Sequence, residues 1–386
     1  MQGSPRFEAL TGARFVAALA VVVYHLWRDT WSSGPLGEGG GRLIAHGPIA
    51  VSFFFVLSGF VLSWSQAATM HERPRATSVW IKRARRLLPM FGVSLVVSVP
   101  VALALARIEL ASELTGGAST SVVTLLWPRL VAHVCLVQAW IPGFALVVNP
   151  PVWSLSVEVA FAFFWPWLWG PLWSLAGRRP WALLAALWAW SIVPTALYLA
   201  LQPDGVALSH KVHAFWLDVL RYHPLVRLPE LLAGVVLARL VRDGYRPPPW
   251  SAAAGAASVV AAVMLIVAVV DGLWGSGPST VLTHNGLLLP AFSALIVGLA
   301  TAPSSRLARV LSTRPLIWLG DASYALYVLH VPLLYWVAGW SKRRRGDNIL
   351  EEPGAAVVVV VVIVLASVAV YMLVEARVAQ RFRRRG

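Results

Sequence analysis

About ten stretches of roughly 18 to 23 mostly apolar residues recur along this chain, each long enough to cross the hydrocarbon core of a bilayer as a helix. They fall near 10–28, 48–66, 90–107, 152–173, 181–201, 226–241, 251–270, 285–302, 316–338 and 355–374. The bilayer core offers no water to unpaired backbone groups, so a run of this length satisfies its N–H and C=O groups within its own helix. The expected fold class is an all-α integral membrane protein, about ten transmembrane helices in one bundle, with 1–386 as a single domain and no appended soluble domain. Thr124 to Trp140 is read as a short or re-entrant segment, because Pro128, Arg129 and His133 interrupt its apolar run.

Charge placement then sets the expected orientation. The formal net charge is +15, a balance that on a soluble chain would suggest nucleic acid. With the N-terminus inside, however, the basic residues collect on inner segments: Arg73, Arg75, Lys82, Arg83, Arg85 and Arg86, then Arg178 and Arg179, then Arg239, Arg242 and Arg246. Arg306, Arg309, Arg314, Arg377, Arg381 and the arginines at 383–385 continue the series. This is the positive-inside pattern, which implies a multi-pass plasma-membrane protein with both termini cytoplasmic, in contact with lipid and not with nucleic acid. "SKRRRGD" (Ser341 to Asp347) is the exception that this topology places outside, beside Asp347, Glu351 and Glu352. Tyr24 and His25 interrupt the first apolar run, so it reads as a retained helix and not as a cleaved leader. Cys135 is the single cysteine, which rules out an intramolecular disulfide; a buried, inert thiol is expected.

Within the first span, "ARFVAALAVVVYHLW" holds Arg14 and His25. Eleven residues of helix is close to three full turns, so the two side chains fall within about 20° of each other and about 16 Å apart along the axis. Ionisable groups at membrane depth cost roughly 2.5 to 3.5 kcal/mol on insertion scales and usually face a protein interior or a wet cavity. A shared stripe therefore reads either as a lined path or as two groups snorkelling to opposite surfaces.

Other polar positions stand in similar apolar surroundings. Ser58 and Gly59 in "GPIAVSFFFVLSGFVLSW" are small enough for close helix approach. Arg83 and Arg86 in "WIKRARRLLPMF" share a helical face, and guanidinium forks suit phosphate oxygens as well as anionic lipid. Glu158, one turn from Ser154, is the sole acid of "NPPVWSLSVEVAFAFFWP" and has to be paired, neutralised or solvated by a cavity. Arg227 and Glu230 at i,i+3 read as a structural ion pair. Ser323, Tyr327 and His330 follow i, i+4, i+7 and make one polar stripe in "WLGDASYALYVLHVPLLYW", a pattern that also suits helix-to-helix hydrogen bonding. No metal-ligand pattern appears.

Taken in order, these segments resemble the acyltransferase-3 family of integral membrane O-acyltransferases over nearly the whole chain. The likeness rests on an Arg and a His separated by ten residues in "TGARFVAALAVVVYH", then "FFFVLSGF", "KRARRLLP", "WSLSVE", "RLPELLAG" and "GDASYALYVLHVP". It implies transfer of an acyl group, commonly acetyl, from acyl-CoA to a hydroxyl on a sugar, an envelope glycan or a secondary metabolite such as a macrolide. Acyl-CoA is then a donor substrate, with no permanently bound cofactor. Carried over by motif, His25 is catalytic, Arg14, Arg83 and Arg86 serve the donor, and Glu158 stands at the family's acidic position, where it is expected to orient His25. Ser154, Ser323, Tyr327 and His330 are further candidates for the site. Ser52 stands where the family often has Asp, and Ala162, after Phe161, where a Tyr is usual. The compact length resembles antibiotic-tailoring members, which favours a glycosylated, macrolide-like metabolite over cell-envelope polysaccharide. A transporter or flippase, whose intramembrane charges line a path, is the reading from another class, and a scaffold is a third.

Overall fold

The computed structural model describes residues 7–28, 41, 43–69, 76–114, 122–175, 177–208, 212–274 and 276–378. Arg73, Arg75, Arg381 and the arginines at 383–385 lie outside them. Among the described residues, seven helices are long and apolar enough to cross a membrane. Five come from the first half: α1 (Glu8–Leu26), α2 (Ile49–Thr69), α3 (Ala76–Leu114), α5 (Trp153–Trp173) and α6 (Arg179–Leu201), with the shorter α4 (Val122–Val134) between α3 and α5. In the second half, α7 (Phe215–Tyr222) leads into α8 (Pro224–Arg242), and α9 (Ser251–Trp274) is followed by α10 (Ser276–His284) and α11 (Leu289–Thr301). The chain continues through α12 (Arg306–Leu311), α13 (Arg314–Asp321), α14 (Ser323–Arg345) and α15 (Pro353–Val370).

The α10–α11 pair bends by 46° and the α13–α14 pair by 62°; counting each pair as one broken span brings the total to nine. The run expected at 285–302 starts at the first break and corresponds to α11, with α10 as an added half, whereas the run expected at 316–338 crosses the second break. The remaining expected segment, 226–241, is helical as α8 but carries Arg227, Glu230, Arg239 and Arg242, so its composition is that of an enclosed helix. The third span also starts earlier than expected. Pro89 and Pro100 both sit inside α3, so "WIKRARRLLP" is the first part of the spanning helix and not a preceding surface segment. The interrupted stretch from Thr124 folds as α4 plus a single 3-10 turn at Gln138–Trp140.

Peripheral and central helices differ as apolar character dictates. On α9 and α15, Val260, Leu265, Val357, Val358, Val361 and Val362 are exposed, the outward face expected of lipid-facing spans. The centre is built where two backbones touch. A Cβ on Gly59 of α2 would lie 1.9 Å from the Leu231 carbonyl oxygen of α8, and one on Gly234 of α8 would lie 2.0 Å from that of Val56. Only glycine permits this crossing, and the two glycines come from separate motifs, "LSGF" and "ELLAG".

α8 also holds the break between α10 and α11. Gly286 takes φ +58, and a Cβ there would meet Ser191 at 2.5 Å. The freed carbonyl of His284 accepts from Arg227, whose guanidinium also donates to Asn285 Oδ1 at 2.6 Å. Asn285 Nδ2 then donates to Thr195 Oγ1 (3.2 Å) and to the Leu220 carbonyl (3.0 Å). The end of α10 is thus tied to α6, α7 and α8 by groups that replace the interrupted helix bonds.

Candidate active site

Of the cavities along α1, two are lined by its ionisable side chains. The one near its C-terminal end holds about 60 Å³ and is lined by Tyr24, His25, His46, Trp153, Thr283 and Tyr327, among others. The hydrogen bonds around His25 fix its tautomer. Its Nδ1 is 3.0 Å from the Val21 carbonyl oxygen, which can only accept, so Nδ1 carries the proton. The same nitrogen is 3.1 Å from His330 Nε2. His330 in turn places its Nδ1 3.1 Å from the Leu326 carbonyl oxygen, so its proton is on Nδ1 and its Nε2 accepts from His25. Every bond therefore points the same way, and His25 Nε2 is left with the lone pair. The rings of the two histidines cross edge to face, with centroids 4.9 Å apart.

The second cavity, nearer the N-terminal end of α1, holds about 100 Å³ and is lined by Arg14, Arg86, Ser154, Glu158, Ser323 and Tyr327, with an apolar wall that includes Phe54 and Phe55. Glu158 accepts from Arg83 and, at 3.3 Å, from Ser58. Arg83 is thereby neutralised. Arg14 and Arg86 form no ion pair among the described residues, so the cavity presents two cationic groups beside apolar walls. Such a pairing suits a ligand with an anionic part and an apolar arm.

The structure brings most of the sequence candidates together, but not in the expected pairs. Arg14, Arg83, Arg86, Glu158, Ser154, Ser323 and Tyr327 converge on the second cavity or its immediate wall. His25 and Glu158 line different cavities, so the expected orientation of His25 by Glu158 is corrected: its carboxylate is engaged by Arg83, and the partner of His25 is His330. The stripe on α14 runs from Ser323 in one cavity, past Tyr327 at both, to His330 beside His25. Arg227 and Glu230 form the expected ion pair at 3.0 Å, fully enclosed. Ser52 stands in that network, accepting from Arg227 at 3.0 Å, so Glu230 supplies the carboxylate that an Asp at position 52 would bring. Cys135 is exposed, contrary to the buried thiol expected, on a stretch where Val131, Val134 and Val137 are exposed too. Sequence reasoning missed His46, whose Nδ1 lies 2.7 Å from Thr283 Oγ1, and Trp153, which walls the His25 cavity. Neither belongs to a helical stripe of polar residues, so nothing local marked them.

No solved structure matches this chain. Among characterised proteins, it is 30% identical to the acyltransferase MdmB of Streptomyces mycarofaciens over 333 residues, 84% of this chain and 78% of MdmB. It is 26% identical over 343 residues to the peptidoglycan O-acetyltransferase OatA of Listeria monocytogenes and 24% identical over 354 residues to the O-acetyltransferase OatA of Staphylococcus aureus. Those alignments cover 84% and 86% of this chain but 49% and 52% of the OatA proteins, so the chain spans about half their length. The model of the acyltransferase-3 domain family matches residues 7–372, which takes in both cavities and every element from α1 to α15, and the chain belongs to that family.

Proposed function

We propose that this integral membrane protein is an O-acyltransferase that moves a short acyl group, acetyl in the simplest case, from acyl-CoA to a hydroxyl of a glycosylated secondary metabolite. The observation that carries the proposal is the aligned hydrogen-bond chain from Leu326 through His330 to His25, which leaves His25 Nε2 as a base at the cavity wall. In the reaction, Nε2 takes the proton of the acceptor hydroxyl as its oxygen attacks the thioester carbonyl. The C–S bond then breaks, and the proton passes to the CoA sulfur. While His25 is protonated, its Nδ1–H bonds to Val21 and His330 become charge-assisted, which stabilises the imidazolium. His330 is a positioning residue in this scheme, and Glu158 organises the donor cavity through Arg83. Arg14 and Arg86 attract the anionic part of CoA at the cytoplasmic side, and the pantetheine arm runs along the α14 stripe to His25.

A metabolite acceptor is favoured over envelope glycan by the MdmB alignment, which covers most of both chains, where the OatA alignments cover half of those proteins. The test uses purified protein in detergent, radiolabelled acetyl-CoA and a panel of macrolide glycosides and simple sugars, with wild type beside His25→Ala. Label should reach an acceptor in the wild type and be lost in the variant while CoA still binds. Equal transfer by the variant would place the chemistry elsewhere, and no transfer by folded wild type to any acceptor would remove acetyl-CoA as donor.

A further inference from the structure

Val51 and Tyr327 are the two residues that line both cavities. Tyr327 is held in place on three sides. Its ring meets Phe54 edge-on at 5.8 Å and lies 6.1 Å from the His330 ring, and its hydroxyl donates to the Pro151 carbonyl at 3.1 Å, with Ser154 Oγ 2.9 Å away. Ser154 also donates to the Pro151 carbonyl, at 3.0 Å, so one carbonyl anchors both hydroxyls. That carbonyl lies at the entry to α5, and Tyr327 comes from α14, so the contact latches two helices across the boundary between the cavities.

We infer that Tyr327, with Val51, is a gate between the donor cavity and the His25 cavity, latched through Pro151 and Ser154. The inference rests on the acyltransferase reading: a thioester delivered past Arg14 and Arg86 has to cross this wall to reach His25. Two polar cavities separated along one spanning helix would join into a water path if the wall were absent. A closed wall keeps that path dry and keeps water from the thioester, since exclusion of water prevents side hydrolysis of a reactive acyl group. In that side reaction water attacks the thioester carbonyl, the C–S bond breaks, and the acyl group leaves as a carboxylate with a proton while CoA leaves as the thiol.

Two variants and two readouts test the gate in full-length protein. Tyr327→Ala removes the wall; Tyr327→Phe keeps the ring and removes only the latch. CoA thiol released from acetyl-CoA without acceptor should rise about tenfold in Tyr327→Ala, and transfer should persist in Tyr327→Phe within about fivefold, the scale of one hydrogen bond. In proteoliposomes carrying an internal pH dye, proton leak should rise in Tyr327→Ala and, to a smaller extent, in Tyr327→Phe, where the ring stays but the latch is lost. The leak does not depend on which donor is used. A raised leak with a wild type inert toward acetyl-CoA would keep the gate and remove the donor assignment. Background thiol release and background leak in a Tyr327→Ala protein that still binds CoA would overturn the gate. So would loss of transfer in Tyr327→Phe as complete as in His25→Ala, because that marks the hydroxyl as catalytic.

Discussion

Two arginine–carboxylate pairs among the described residues inside the helix bundle, Arg227–Glu230 and Arg83–Glu158, are built for different ends. Arg227 and Glu230 sit one turn apart on α8 with side chains 0% and 1% exposed. The guanidinium donates to the His284 carbonyl, Asn285 and Ser52, and lies over the Phe55 and Trp153 rings at 5.3 and 5.8 Å. Arg83 and Glu158 come from different helices, α3 and α5, with side chains 9% and 17% exposed, and Glu158 faces a cavity that also holds Arg14 and Arg86. The first pair is committed to the fold: the Nη1 and Nη2 groups of Arg227 are bound to α2, to Glu230 and to the α10–α11 break. The second stands beside Arg14 and Arg86, which face open space without an ion pair among the described residues while Glu375 and Asp321 act on Arg14 at longer range, an arrangement that can admit an anionic ligand.

The largest effect that could break this contrast is expected at the sealed pair. Arg227→Met leaves Glu230 as a buried charge without its partner and releases the end of α10, so a loss of about 3 to 5 kcal/mol in stability is expected. Adding Glu230→Leu should recover part of that loss, since apolar replacement of a buried pair is often neutral or better. Thermal melting of the detergent-solubilised protein reads both. A double variant as unstable as the single one would show that Glu230 has a separate duty.

How much of this contrast could be read from the chain alone depends on sequence separation. The Arg227–Glu230 pair was legible because i,i+3 spacing on a helix fixes its geometry. Arg83 and Glu158 were each singled out by charge in an apolar run, but 75 positions separate them, and no helical period relates two helices. His25 and His330, 305 positions apart, show the same limit. Each stood on a recognisable stripe, yet the tautomer chain exists only after α1 and α14 pack together. A lone carboxylate and a lone base invite pairing, which points Glu158 to His25; in the folded chain the carboxylate instead meets the Arg83 guanidinium. The bends are a different case: polar residues mark both breaks, "THNG" at 283–286 and "GDAS" at 320–323, but the network that supports the first break comes from α8, far along the chain.

The open pair should respond in donor binding with a sign that depends on which partner is removed. Arg83→Gln leaves Glu158 to offset Arg14 and Arg86 and to repel CoA, whose affinity should fall about tenfold. Glu158→Gln removes that repulsion and should tighten CoA binding while kcat falls. A pair that only held helices together would give the same sign for both variants, so calorimetric titration of each with CoA separates the two readings. Arg86→Ala, which leaves the pair itself intact, should raise the Kd for CoA by several-fold to about tenfold with little change in melting temperature.

The smallest effect comes from salt, and it sharpens the contrast without changing a residue. Raising ionic strength from about 0.1 M to 1 M shortens the Debye length from about 10 Å to 3 Å. Mobile ions reach charges that face an open cavity, so the attraction between CoA and the pair Arg14 and Arg86 is screened and the Kd should rise a few-fold. They do not reach Arg227 and Glu230, whose side chains are enclosed by the bundle, so the stability that this pair contributes should hold over the same range. The Arg86→Ala variant should show a shallower salt dependence than wild type, because one of the screened charges is gone. A Kd indifferent to salt would mean that CoA does not meet these arginines, and the open pair would then be one more fastening between helices.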